Sequence, residues 1–211
     1  MLQPYYPHIL AVIIGYFFGT IHPAYYFGKK VKNIDIRDYG SNNSGASNTV
    51  MTLGFKYGAA VAVIDALKGL VAALTAYYLI TATRNTTLLY LGGEAAILGH
   101  LFPYYMGFRG GKGLATIIGF SFAVSPLLGL ALIAILFAMS FISDYIVVGT
   151  TSVCIAMVIY TVYTYGISSP AALFTIPIVI IMLIKHRTNY RQIHDHTEPS
   201  FSGALFKKKD K

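Results

Sequence analysis

Apolar runs of about 16 to 25 residues begin near Ile9, Tyr57, Leu88, Leu114, Tyr145 and Ala171. A helix needs about 20 apolar residues to cross a hydrocarbon core of ~30 Å. Inside that core each backbone polar group must be satisfied within the protein, which leaves helices as the economical way to span. Runs this long and this frequent restrict the chain to an all-α integral membrane protein, a polytopic bundle of transmembrane helices. Charge content agrees, at 11% of the 211 residues against about 25% in soluble domains. The opening stretch "MLQPYYPHILAVIIGYFFGT" has neither a cationic leader nor a small-residue cleavage site, so its run is read as a retained span. Cys154 is the single cysteine and sits in an apolar run, so no disulfide framework is expected. With no tryptophan, any interfacial aromatic belt falls to the 17 tyrosines.

The run from Leu114 to Ile142 is the ambiguous one. As one helix its roughly 29 residues would measure ~44 Å, and Ser125-Pro126 interrupts it where proline disfavours a continuous helix. One kinked helix gives six spans; two short ones give seven. Charge decides between them. Seven spans gather Lys29, Lys30, Lys32, Arg37, Lys56, Arg109, Lys112, Lys185, Arg187, Arg191, Lys207, Lys208, Lys209 and Lys211 on one face, leaving Arg84 opposite and Lys68 inside the membrane. Six spans would put the basic C-terminal residues on the other side, against the positive-inside tendency. The expectation is therefore one domain of seven transmembrane helices over residues 1–202, with the N-terminus extracytoplasmic and the C-terminus cytoplasmic. A basic cytoplasmic tail, residues 203–211, follows and is expected to be disordered. The net charge of +8 then serves topology and an anionic ligand, and no nucleic acid is called for.

On this topology the polar loops share the cytoplasmic face. The first, "RDYGSNNSGASNT", follows a loop that opens at Gly28. The second is "GHLFPYYMGFRGGKGLAT", the third the short turn "FISDY", and the fourth "KHRTNYRQIHDHTEPSF". "GSNNSG" and "RGGKG" each present closely spaced backbone N–H groups with little side-chain obstruction, ahead of a helix start, which suits an anion. Arg109 and Lys112 add positive charge there. "GGKG" lacks the GxxxxGK[ST] spacing of a P-loop. In the last segment, His186, Arg187 and Asn189 can hydrogen-bond a phosphate or hydroxyl, and an imidazole is a candidate general base. "HDHTE" has metal-ligating residue types without helical ligand spacing, so no metal is expected. Asp65, Lys68, Glu94 and His100 lie within the spans, where charges need partners. Asp65 and Lys68, three apart, share a helix face and are read as orienting the polar loops. His22, before Pro23, is read as structural.

The segments "GSNNSGASN", "GHLFPYYMGFRGGKGLAT" and "HRTNYRQIHDHTEP" resemble the signatures of the bacterial acyl-phosphate–glycerol-3-phosphate acyltransferases, usually GSGNxGATN, GHxFPxFxGFKGGKGVAT and HRxNIxRLxxGTE. They occur in the same order and on the same expected face. The resemblance implies transfer of a fatty acyl group from acyl phosphate to the 1-hydroxyl of glycerol 3-phosphate, giving lysophosphatidic acid and phosphate, the first step of phospholipid synthesis. It implies a multi-pass protein of the bacterial cell membrane with its active site at the cytoplasmic face. No cofactor is implied, and the partners are the two substrates and the lipid bilayer, with the chain acting as a monomer. Carried over as site residues are Gly40, Ser41, Asn43, Gly45, Ser47 and Asn48, then His100, Arg109, Gly110, Gly111, Lys112 and Gly113. Arg187, Asn189 and Glu198 follow from the last signature, and Ser143 stands where the family has a substrate-contacting serine. His186, Ser41 and Lys112 are the catalytic candidates; the proton acceptor is His186, a relay through Ser41, or a substrate phosphate oxygen.

Several positions depart from the pattern. Asn42 replaces a glycine, Gln192 a basic residue and His196 a glycine. Met51 stands where the family has an arginine that holds the acceptor's phosphate, with Lys56 as a possible substitute further along the chain. Other readings therefore stay open: acyl transfer to a different polyol phosphate, a catalytically impaired paralogue, or a transporter of an anionic solute. The HxxxxD pair of the acyl-CoA-type glycerolipid acyltransferases is absent.

Overall fold

The computed structural model describes residues 5–80 and 84–206, and all of it that is regular is helical. The expected basic tail residues Lys207, Lys208, Lys209 and Lys211 lie outside the described residues. The chain forms two compact units, residues 1–129 and 130–211. In the first, α1 (Tyr6–Gly19) and α2 (Pro23–Lys32) are followed by a 3-10 turn, Ile36–Asp38, then α3 (Ala46–Leu53), α4 (Phe55–Leu79), α5 (Thr86–Leu101) and α6 (Leu114–Val124). Next, α7 (Pro126–Ser143) leads into the second unit, which holds α8 (Ile146–Tyr165), α9 (Pro170–Lys185), α10 (Arg187–His194) and α11 (Phe201–Phe206).

The break foreseen at Ser125-Pro126 is where α6 ends, with Ser125 extended at φ −161°. Pro126 then opens α7, a position where its missing N–H is an orphan anyway. Among the described residues, five helical stretches are long and apolar enough to cross a membrane: Tyr6–Lys32, Phe55–Leu79, Pro126–Ser143, Ile146–Tyr165 and Pro170–His194. With 16 and 11 residues, α5 and α6 rise only ~24 Å and ~17 Å.

The first unit is built on bare backbone contacts. A Cβ at Gly15 would strike the backbone of Gly92, and one at Gly19 the backbone of Ala96, where α1 crosses α5. Gly119 of α6 lies in the same way on Ala66 of α4. Lipid offers no hydrophobic drive to association, so close backbone approach supplies the dispersion energy instead. Nearly every position of α5 from Leu88 to Leu101 is buried, which explains why it is rich in Gly and Ala and has no polar stripe.

Three expectations are corrected. Gly28 opens no loop: it is inside α2, and Lys29, Lys30 and Lys32 line that helix's last turn, where cations oppose the negative end of the dipole. Lys56, expected in that same loop, is in the first turn of α4. Among the described residues the tail begins as the helix α11 (Phe201–Phe206), whose start is held where Asp144, in the left-handed region at φ 62°, accepts the Phe201 N–H at its carbonyl and the Ser202 N–H at its side chain, both at 2.7 Å. Phe201 packs edge-on to Phe141, ring centroids 5.0 Å apart.

The gap between α1 and α2 exposes the carbonyls of Thr20 and Ile21. Tyr105 Oη donates to Thr20 at 2.8 Å and Lys68 Nζ to Ile21 at 2.6 Å, so the break leaves no orphan acceptor inside an apolar medium.

Candidate active site

The first polar loop folds around one amide. Asn48 is completely buried; its Oδ1 accepts the Ser41 N–H at 2.8 Å while Nδ2 donates to Ile36 O at 2.9 Å and Asn43 O at 2.7 Å. Asn48 was expected to meet substrate. Both of its donors shape the loop, and Gly40, at φ 59°, leaves room for its oxygen because a Cβ there would collide with it. Asn43 repeats the device one turn on: Nδ2 donates to Ser41 O and Ser41 Oγ at 2.9 Å, and Oδ1 accepts the Gly45 N–H at 2.9 Å. Ser41 Oγ accepts from Asn43, which leaves its O–H to donate elsewhere, as to an anion. Gly45 caps α3, and the N–H groups at Ala46 and Ser47 fall in the first helical turn, where no intrahelical acceptor exists. Ser47 is exposed there.

The second polar loop lies against the end of α5. The Gly110 N–H donates to Leu101 O at 3.3 Å and the Gly111 N–H to His100 O at 3.0 Å. Neither glycine has room for a side chain: a Cβ on Gly110 meets the His100 carbonyl, and one on Gly111 meets the His100 ring. Gly113, at φ 90°, turns the chain into α6. Arg109 is exposed and Lys112 half-buried. His100, also expected to meet substrate, is 3% exposed and sits behind this loop, with Nδ1 2.8 Å from Lys68 Nζ. At this place it supports the loop from behind.

Arg37 ties the two loops together, a role the sequence reading did not assign. Its Nη1 donates to Met106 O at 2.6 Å and Arg109 O at 3.3 Å. Its Nε and Nη2 fork onto Asp35, at 2.9 Å and 2.6 Å, while Asp35 also accepts the Arg37 N–H at 3.0 Å and so caps the 3-10 turn. The only available signal was an Asp-x-Arg at the edge of a glycine-rich loop. Arg37's hydrogen bonds hold the Asp35 carboxyl below the usual carboxylate range. A lowered folded-state value means the brace contributes fully above the ordinary carboxylate range and is lost as pH falls through the lowered one. Arg37→Ala should lower kcat about tenfold, equivalent to about 1.4 kcal/mol of loop positioning. Arg37→Lys should not restore it, because an ammonium cannot bridge both partners. Steady-state kinetics of both variants checks this.

In the second unit, Ser143 closes the turn after α7: its Oγ donates to Met139 O at 2.7 Å and accepts the Tyr145 N–H at 3.2 Å. His186 stands at the single-residue junction between α9 and α10, 5% exposed. Its Nδ1 faces Met182 O at 2.8 Å. A carbonyl only accepts, so Nδ1 carries the hydrogen, and in the neutral ring Nε2 is the basic nitrogen. Arg187 opens α10 and is exposed. Asn189 Nδ2 donates to Glu198 Oε1 at 2.7 Å, fastening the segment after α10 back onto it. The polarity of this stretch predicts a loop; it is mostly the helix α10.

Residues 9–196 match the family model described as glycerol-3-phosphate acyltransferase. The chain is 36% identical over 190 residues to the glycerol-3-phosphate acyltransferase of Thermoanaerobacter sp. (strain X514), covering 90% of this chain and 93% of that one. It is 34% identical over 206 residues to glycerol-3-phosphate acyltransferase 1 of Oceanobacillus iheyensis, covering 95% and 98%. Among solved structures it is similar to PlsY (YgiH), an integral membrane glycerol 3-phosphate acyltransferase, in its glycerol 3-phosphate form. The TM-score is 0.79 at 30% identity, covering 94% of this chain and 98% of that one. The lysophosphatidic acid form of that protein matches with the same TM-score. Helical architecture, apolar spans and both sets of relatives agree that this integral membrane chain belongs to the glycerol-3-phosphate acyltransferase family.

Proposed function

We propose that the chain transfers a fatty acyl group from acyl phosphate to the 1-hydroxyl of glycerol 3-phosphate, at the cytoplasmic face of a bacterial cell membrane. The observation that carries this reading is the pair of side-chain-poor loops, 40–48 and 110–113, held to one another by Arg37. The Ala46 and Ser47 N–H groups at the start of α3 and the cations Arg109 and Lys112 at the second loop suit phosphate, and acyl phosphate is already an activated mixed anhydride that needs orientation more than a strong nucleophile. The positive-inside bias supports seven spans, with α5 and α6 taking the two that length alone does not assign, an outer N-terminus and an inner C-terminus.

In this mechanism residues 40–48 cradle the acyl-phosphate head, with Ser41 donating its hydroxyl. The family resemblance assigns Lys112, Ser143 and Asn189 to glycerol 3-phosphate. His186 Nε2 takes the proton as the 1-hydroxyl oxygen bonds to the acyl carbon. The bond from that carbon to the bridging phosphate oxygen breaks, and its electron pair leaves with phosphate while Lys112 offsets the developing charge. The released phosphate then receives the proton from His186. Phosphate release from palmitoyl phosphate by the purified protein, measured with and without glycerol 3-phosphate, tests the reading. Acceptor-dependent release with lysophosphatidic acid formed supports it; release indifferent to acceptor refutes it.

Met51 favours one variation, a different polyol phosphate as acceptor, since it is 48% exposed on α3 where the resembled family carries a phosphate-binding arginine. Met51→Arg should lower the KM for glycerol 3-phosphate by up to about 30-fold, the worth of one charge-assisted contact of about 2 kcal/mol. An unchanged KM would mean that another cation already serves. Lys32 is placed for this, with Nζ 2.7 Å from the carbonyl of the next residue, Thr52.

A further inference from the structure

Beneath the two loops runs a column of buried polar groups drawn from four elements. Ser44, completely buried in the first loop, has its Oγ 3.1 Å from His22 Nδ1. The His22 ring stacks on His100, with centroids 5.0 Å apart and planes 26° from parallel. His100 Nδ1 is 2.8 Å from Lys68 Nζ and 3.5 Å from Asp65 Oδ1. Lys68 Nζ is also 2.7 Å from Asp65 Oδ1 and donates to Ile21 O at 2.6 Å. At the far side the His100 ring fills the space where a Gly111 side chain would be. Lys68 and Asp65 are 3% and 1% exposed.

An ammonium has three N–H donors and no acceptor. Lys68 donates to the helix-break carbonyl of Ile21 and to the His100 imidazole and pairs by charge with the Asp65 carboxylate, so three elements are referred to one atom. His100 Nδ1 must then accept, which fixes the orientation of the ring that touches Gly111. Through the stack, the same ring fixes His22 and hence Ser44. We infer that Lys68, held by Asp65, is a positioning residue that sets the spacing of the two glycine-rich loops through His100 and His22. The inference rests on the proposed reaction only for its kinetic consequence, since the column itself is a matter of geometry.

A buried ion pair is by itself weak evidence of stabilisation, and losing one partner leaves a costly lone charge. Single variants therefore mix two effects, and Lys68→Met should melt well below wild type. The double variant Asp65→Asn with Lys68→Met removes both charges and separates the effects. It is expected to regain most of the melting temperature in detergent, but its kcat should remain about 100-fold low. Neither substrate's KM should move by more than about threefold, because each loop keeps its own binding groups and only their mutual placement is lost. Hydrogen–deuterium exchange, which needs no turnover, should rise together in residues 39–48 and 107–113 of the double variant while α8 is unaffected. A double variant with wild-type kcat, or with exchange raised in one loop or neither, overturns the inference. If the wild-type protein does not turn over acyl phosphate, the proposed reaction fails and the exchange result alone still decides the column.

Discussion

His186→Ala is expected to lower kcat by about 10²- to 10⁴-fold, the range that a positioned general base supplies. The expectation comes from the tautomer. Met182 O, 2.8 Å from Nδ1, fixes the hydrogen on that nitrogen, so Nε2 is the nitrogen of the neutral ring that can take a proton. The junction between α9 and α10 holds the ring in place, and burial at 5% exposure limits its alternatives. The acid limb of the pH–rate profile should disappear with the side chain, since that limb reports the base in its protonated, inactive form. A fall of less than about threefold, with the acid limb intact, would leave proton removal to a substrate phosphate oxygen.

Gly111→Ala is expected to lower kcat about 100-fold, the scale of a ~1 Å displacement of a positioned group. The added Cβ runs into the His100 ring. That ring has nowhere to go: Lys68 holds one side, His22 covers one face, and all three are at most 4% exposed. The loop must therefore move instead, and Lys112 beside it moves too. Overpacking at such a site costs about 1–3 kcal/mol, so a drop in melting temperature should accompany the kinetic loss. Gly107 provides the control. It is left-handed at φ 62° but a Cβ there meets nothing within 4 Å, so Gly107→Asn, a residue tolerant of that region, should retain most activity. Equal losses in Gly111→Ala and Gly107→Asn would place the defect in backbone strain and not in the His100 contact.

The sequence made some of this visible and hid the rest for identifiable reasons. Apolar runs are set by the bilayer's thickness, so the helical spans could be read directly, and Pro126 marked the end of α6 because it lacks an N–H. The continuation past Thr20 was not visible. His22-Pro23 looks like a stop, yet α2 resumes at Pro23, and the carbonyls left by the gap are served by Lys68 and Tyr105 from much later in the chain. At the site, glycine spacing indicated two anion-suited loops. Which polar residues face a ligand and which are spent on the loop itself is decided by tertiary contacts. Asn43, Asn48 and His100 look alike as polar residues of glycine-rich segments, whereas the structure buries Asn48 and His100. Arg37 was counted only as a cation for topology, because nothing local reveals that its guanidinium reaches Met106, 69 residues on.

The helix break at Thr20 to His22 also sets an order of events during synthesis. The Ile21 carbonyl gets its donor from Lys68, 47 residues further on, and the Thr20 carbonyl from Tyr105, 85 residues further on. A nascent chain that has only its first span in the bilayer has neither. Until α4 arrives, the unbroken alternative, or water drawn to the break, is the less costly state for those two acceptors. The bend between α1 and α2 is thus settled late, by residues translated after it. A ribosome stalled before Lys68 would hold a first segment that crosslinks to lipid and translocon as a mobile rod, and one stalled after Tyr105 has emerged would hold it bent.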